Sequence, residues 1–355
     1  MAATITTLTS NITAPVDYVL MRGLLSSARK RLPYFNGTLA GTLEKHQGAM
    51  NVKWRRIENL APVTTALGEV TGTMVFGNGR NSVQAVITDV TVAMAKYGNW
   101  ILTTEELDLF NVNSRAAQLL EKLGWNAGES LNILARNVFD GSTNVRYGTA
   151  ATADTNTVTA ITVGDIKYVV NQLNRESAMK FFSEGNGSRN IGTSPVRESY
   201  FGTTHPDVEE DIRGLTGFVS VEQYGGYVAT EPGEFGSVAG VRFVSSEIAP
   251  VSTGAGTTTA TGMRGSSTIL NDIYSTFIYG KEAVGTVSLG ENHTKEIYMM
   301  GDRVPSVQLI SKPLGSAGAG DPFNEIGSLA WKAWFAGKIL NQKWLWKIRS
   351  TSADL

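Results

Sequence analysis

The chain has 355 residues, 42% of them hydrophobic and 18% charged, with a formal net charge of -1. That balance excludes a disordered tail and leaves length for two or three lobes with cores of their own. Zero cysteines exclude disulfides and thiolate metal sites, and no run of about 18 apolar residues offers a membrane-spanning helix.

The near-neutral total hides a segregation. Up to residue 56, Arg22, Arg29, Lys30, Arg31, Lys45, Lys53, Arg55 and Arg56 face only Asp17 and Glu44. Between His205 and Glu247 the sign reverses, so the two regions are expected to meet different neighbours. No charged flank, apolar core and small-residue cleavage site open the chain, which predicts a soluble protein that is not exported.

Residues 1 to 15 are rich in Thr, Ala and Asn, a composition that cannot fold alone and reads as an arm. From Asp17 to Leu32, the apolar Met21, Leu24, Leu25, Ala28 and Leu32 share one helical face, ringed by Arg22, Arg29, Lys30 and Arg31. This predicts a short basic docking helix, ended by Pro33. The period then changes. Val52, Trp54 and Arg56 alternate with Lys53, Arg55 and Ile57, and Val86, Thr88, Val90, Val92 and Met94 alternate with their neighbours, which predicts two strands. Between them the chain has no helical pattern and carries the turn signal Gly77-Asn78-Gly79. Compact domains seldom hold so long an excursion, so a protruding two-stranded loop that lies on a neighbouring molecule is expected.

Thr103 with Glu106 resembles a capping box opening a short helix, TEELDLF. From Asn113 to Gly141, Ala116, Leu120, Leu123, Ala127, Leu131, Leu134 and Val138 recur at steps of three and four, which predicts one long amphipathic helix. Asn113 or Ser114 is expected to cap its start, with Arg136 in the last turn and Gly141 just past the end. Gly124 and Gly128 imply an element packed close to its backbone. After the polar connector GTAATADTNTVTA, helical spacing returns from Val163 through Ile166, Val169, Val170 and Leu173. Residues 181 to 289 read as short strands between Gly-rich turns, with a Gly/Thr/Ser loop near 251 to 268 that carries no packing signal. In the C-terminal region WLWKIR alternates as a strand and SLAWKAWFAGKIL fits helix or strand. A hairpin of the two beneath the long helix is the expectation.

Chemistry-bearing patterns are scarce. His46, His205 and His293 lie far apart and none has a metal-ligand spacing. His205 precedes a carboxylate-rich helix start, but Pro206, Asp207, Glu209 and Glu210 are ordinary helix initiation. GxSxG and GxxxxGK[ST] are missing, and no catalytic residue, metal site or cofactor is assigned. A hydrolase using His205 with Asp207 or Glu209 is the enzymatic alternative. The basic N-terminal region suits weak, salt-sensitive contact with a polyanion.

Several stretches together resemble a known family: VKWRRIENLAPVTTALGE, ITDVTVAMAKYGNW, HPDVEEDIR, FGSVAGVRFVSSEIAPV, STFIYGKEAVGTVSL and KPLGSAGAGDPFNEIGSLAWKAWFAGKILNQKWLWKIRS. They run in order over roughly residues 50 to 350 and are similar to major capsid proteins of tailed bacteriophages, in the coat family named after the phage N-four. The resemblance implies an α+β, Hong Kong 97-type capsid fold. Its parts would be an N-terminal arm (1–45), an extended hairpin loop or E-loop (46–102), a peripheral domain (103–144 and 300–355, with the spine helix at 113–140) and an axial domain (145–299). The stretches at 76–82 and SEGNGSRNIGTSPVRESY depart from the family pattern. The resemblance further implies a structural virion protein, not an enzyme, that builds hexamers and pentamers of an icosahedral head around double-stranded DNA. A minor virion or DNA-associated protein is the alternative. Trp54, Arg55, Arg56, Phe76, Asn78 and Arg80 on the loop become candidate inter-subunit contacts, and Arg22, Arg29, Lys30 and Arg31 candidate DNA-facing residues. Further copies of itself, a portal, a scaffold and decoration proteins would be the partners, with no membrane. An arm beginning directly at Met1 predicts that the scaffold is a separate protein.

Overall fold

The computed structural model describes residues 32–35, 37–43, 50–58, 60, 62, 64, 85–109, 116–181, 198–223, 233–256, 263–265, 270–289, 297–298, 307–314, 322–323 and 325–354. The arm, the basic helix with Arg22, Arg29, Lys30 and Arg31, and the loop tip with Phe76, Asn78 and Arg80 lie outside them. Strands β1 (Leu39–Leu43), β2 (Asn51–Ile57), β3 (Ile87–Ala93) and β4 (Ala95–Thr104) lead to helices α1 (Glu105–Leu109) and α2 (Ala116–Asp140). Then come β5 (Val145–Tyr147), α3 (Val163–Arg175), β6 (Tyr200–Thr204), α4 (Pro206–Arg213), β7 (Val219–Ser220), β8 (Glu234–Val238), β9 (Val241–Ser245) and β10 (Val251–Ser252). The chain ends through β11 (Ile273–Tyr279), β12 (Val284–Leu289), β13 (Ile297–Tyr298), β14 (Val307–Lys312), β15 (Ile326–Ile339) and β16 (Leu345–Ser350). The architecture is mixed α+β.

Two larger sheets organise it. One runs β1-β12-β15-β14-β13, with β4 also paired to β15. The other runs β5-β16-β11-β6-β9-β8-β7, with β10 on β11. Their membership cuts across the expected segment boundaries: β12, within 145–299, pairs in the first sheet, while β16, near the C-terminus, pairs in the second. The expected C-terminal hairpin does not form. After β15 a 3-10 turn at Gln342–Trp344, capped by Asn341 accepting from the Lys343 N–H, redirects the chain, and β16 pairs with β11 and β5 instead. Alternation reveals which face a strand presents but not which strand lies beside it.

Helix α2 lies on one face of the first sheet. Leu120, Leu123, Ala127 and Leu131 are buried as expected, but the stripe continues through Ala135 and Phe139, while Leu134 and Val138 are only partly covered. A 3.6-residue period drifts, so steps of four carry the buried face onward. Gly124 and Gly128 are buried on this side. Odd-numbered residues of β15 face the helix, with Trp331, Ala333 and Phe335 in the shared core. A Cβ at Gly337 would sit 2.9 Å from Val138, so only glycine admits the helix's last turn there. Arg136 lies short of the last turn and donates to the Ile248 carbonyl at 2.9 Å. The helix end is held by Lys347, whose Nζ donates to the Asp140 carbonyl at 3.0 Å. Thr103 does not cap α1: it sits in β4 opposite Gly327, and the Glu105 N–H donates to the Glu325 carbonyl.

The second sheet has its own core. Ile166, Val169 and Leu173 of α3 and Val208 and Ile212 of α4 pack with Phe243, Ile278 and Ile348. Thr162 caps α3 by accepting from the Asp165 N–H. The described part of 251–268 is packed, contrary to expectation: Val251 and Ser252 pair with β11, and Arg264 donates its N–H to the Ser352 carbonyl. Arg349 on β16 donates to Asp154 at 2.6 and 2.8 Å and to Ser252 and Ser275, tying the polar connector to the sheet.

Candidate functional site: the hairpin and the sheet beneath it

Strands β2 and β3 form a separate two-stranded sheet, from Asn51 opposite Ala93 to Ile57 opposite Ile87. Two strands alone are marginal in water and need a further surface. Burial alternates residue by residue along both strands, so one face is covered and the other is open. The covered face carries Val52 and Trp54 with Val92. These pack with Leu43 and Trp334 against the buried Met94, Val287 and Ala336 on the side of the first sheet away from α2. Glycines make the approach possible: a Cβ at Gly285 would come within 3.0 Å of the Trp54 ring. Arg56 donates to the Leu340 carbonyl at 2.9 Å and pairs with Glu58, whose carboxyl it holds below the usual carboxylate range. Of the expected contact residues, Trp54 and Arg56 thus engage their own chain, Arg56 just short of the Ile57–Ile87 pair.

Arg55 points the other way. On the open face it donates to Asp89 at 3.0 Å, and Lys53 pairs with the same carboxylate, which the two cations hold below its ordinary value. Toward the distal end Glu58 accepts from Arg56 and, at 3.3 Å, from the Thr88 hydroxyl, while the apolar side chains around this group stay open. The cross-strand pair Ile57 and Ile87 is 65% and 53% exposed, and Leu60 and Val86 beside it are 58% and 59% exposed. Among the described residues these form an exposed apolar group, the kind of surface on which contacts are built. Sequence alternation located the strands, but only the three-dimensional placement separates the self-engaged base from the uncovered distal end.

The histidine set aside in the sequence lies in the second lobe. His205 is the N-cap of α4, its Nδ1 accepting from the Asp207 N–H at 3.2 Å, with Pro206 in the first turn. Burial holds its imidazole below the ordinary histidine value. Asp207 accepts from the Tyr274 hydroxyl at 2.7 Å and pairs with Arg264, and Glu209 pairs with Arg213 at 2.7 Å. The side chains named in the hydrolase alternative are therefore committed to capping and ion pairing. Among the described residues, no group of three or more His, Asp or Glu is arranged to hold a metal ion, and no helix is long and apolar enough to cross a membrane.

No protein-family model matches the sequence, and no curated protein sequence does either. Solved structures do. The chain is similar to one in the capsid of Ralstonia phage GP4, at 10% identity and a TM-score of 0.58, covering 90% of this chain and 91% of that one. A chain of the capsid asymmetric unit of cyanophage Pam1 matches at 12% identity and a TM-score of 0.55, covering 92% and 93%. One from the capsid of cyanophage P-SCSP1u matches at 13% identity and 0.52, covering 92% and 90%. At these identities the likeness concerns architecture, and over nine tenths of its length this chain has the fold found in phage capsid chains.

Proposed function

We propose that this chain is the major shell subunit of a tailed-phage head, of the Hong Kong 97 type, self-assembling into hexamers and pentamers around double-stranded DNA. The observation that carries the reading is the hairpin: part of it rests on its own sheet while its apolar residues Ile57, Leu60, Val86 and Ile87 stay exposed among the described residues. The fold shared with capsid chains supports it. A surface of one copy that fits a different surface of the next makes a head-to-tail contact, and such contacts close into rings. The hairpin is then the extended loop, α2 the spine, the first sheet the body of the peripheral domain and the second sheet that of the axial domain. Phe76, Asn78 and Arg80 contact the adjacent subunit, and Arg22, Arg29, Lys30 and Arg31 face the packaged DNA. Portal, scaffold and decoration proteins complete the partners, with the virion capsid as the location.

Two measurements test the proposal. The purified full chain, alone or with its assembly partners, should sediment as capsomers or shells. A monomer under every condition would sink the reading. Removing residues 60 to 82 should leave a folded subunit that cannot close shells. Loss of folding would instead assign the loop to the subunit's own core.

A further inference from the structure

Among the described residues, strand β4 leaves one edge of the first sheet open. It pairs with β15 over its whole length, from Ala95 opposite Phe335 to Thr104 opposite Ile326, and no other strand among the described residues pairs with it. The Glu105 N–H continues the ladder by donating to the Glu325 carbonyl. Antiparallel residues alternate between pointing both backbone groups at the partner and pointing both away, so odd residues from Glu105 downward face β15. Lys96, Gly98, Trp100, Leu102 and Thr104 therefore turn their N–H and C=O groups to the open edge, and all five are exposed. The Trp100 N–H takes the Asn99 side chain at 2.9 Å, as expected of a donor outside the ladder. The same strand presents Trp100 at 62% and Leu102 at 45% exposure.

A ten-residue edge with unpaired backbone groups and large apolar side chains is a template for another strand. Its own sequence indicates which strand fits. Lys96 stands at the start, and Glu105 and Glu106 follow the end, both exposed. Two copies of the edge laid antiparallel bring each lysine to the partner's acidic end, whereas parallel copies set like charge against like. With Trp100 opposite Trp100 of the second copy, Leu102 falls over the second copy's Gly98. The small residue there leaves room for the aromatic pair.

We infer that β4 pairs antiparallel with β4 of a second copy, centred on Trp100, and joins two first sheets into one continuous sheet across a two-fold axis. The contact rests on the reading of the chain as a self-associating subunit and is distinct from the hairpin contact, since it joins like to like. The chain has no cysteine, so a single thiol at the centre reports the pairing. Full-length Trp100→Cys should oxidise to a covalent dimer with copper phenanthroline, in free protein and in particles. Adding Leu102→Pro, which removes only a donor aimed at the open edge, should abolish the dimer while circular dichroism and melting stay those of the single variant. Leu102→Lys, which places a cation diagonal to the partner's Lys96, is the second block should proline disturb the strand. No covalent dimer in either state, or a dimer that both blocks leave unchanged, overturns the inference. Particles without the cross-link remove the edge pairing and leave the shell reading standing. A cross-linked dimer that never assembles does the reverse.

Discussion

The two faces of the first sheet are covered in different ways. Against α2, the helix residues Leu120, Leu123, Ala127, Leu131 and Ala135 are buried with Trp331, Ala333 and Phe335, and the fully buried Phe139 extends that core to Tyr34 at 5.6 Å and to Tyr279 and Phe277 of β11 at 4.9 and 6.1 Å. On the opposite face, among the described residues, Met94, Val287 and Ala336 are buried beneath the hairpin, and Trp54, Val52 and Trp334 stay partly open. Among the described residues the helix face is closed, whereas the hairpin face ends in the exposed apolar side chains Ile57, Leu60, Val86 and Ile87. On the proposed function, stability and association then fall to opposite sides of one sheet.

The largest test of that contrast is Phe139→Ala. Truncating a fully buried aromatic leaves a cavity among close-packed rings and should cost about 3–5 kcal/mol, read from denaturant unfolding of the full chain. A cost below ~1 kcal/mol would mean the helix face is no better packed than the hairpin face. Trp54→Ala gives the matching measurement on the other side. It removes a half-buried ring and should cost ~1–2 kcal/mol. The ratio of the two values, more than either alone, measures the asymmetry.

How much of this was legible beforehand follows from what each signal encodes. Helix α2 and the strands β2 and β3 are readable because periodicity reports which side chains share a face, and each element presents a face to a core. Ala135 and Phe139 escaped because the stripe was followed with steps of three near the helix end, where the buried face advances by fours. The separation of β15 from β16 was not readable, since neighbouring strands are chosen by contacts far apart in sequence. Arg349 with Asp154 is such a contact, a buried guanidinium met by a carboxylate from a connector that looked merely polar. The uncovered distal hairpin was half legible: the long excursion implied a partner surface, but which residues of its base stay at home depends on Gly285 and the Leu340 carbonyl.

The second lobe offers a smaller contrast, in pH rather than packing. Burial lowers the pKa of His205 in the folded state, so below about pH 6.5 the unfolded chain binds more protons and stability falls as pH falls. His205→Asn keeps a good N-cap acceptor and removes the titration. Melting temperatures of the two proteins should converge near pH 7.5 and separate below pH 6.5, with the variant the flatter. Parallel curves would show that the capping imidazole is not what senses the pH.

The smallest effect on the fold belongs to Arg55, and it distinguishes the faces of the hairpin itself. Its guanidinium and Lys53 share Asp89 in water on the open face, where such pairs contribute little and are screened by salt. Arg55→Ala should therefore unfold at the parent's midpoint in denaturant. Arg56→Ala, which deprives the Leu340 carbonyl of its donor, should cost more. If the open face meets a neighbouring copy, the order reverses in assembly: Arg55→Ala slows shell formation at low salt and the difference fades as salt rises, while Arg56→Ala assembles at the parent rate once folded. Equal assembly of the Arg55 variant at every ionic strength would remove that residue from the contact and leave it to the distal apolar end alone.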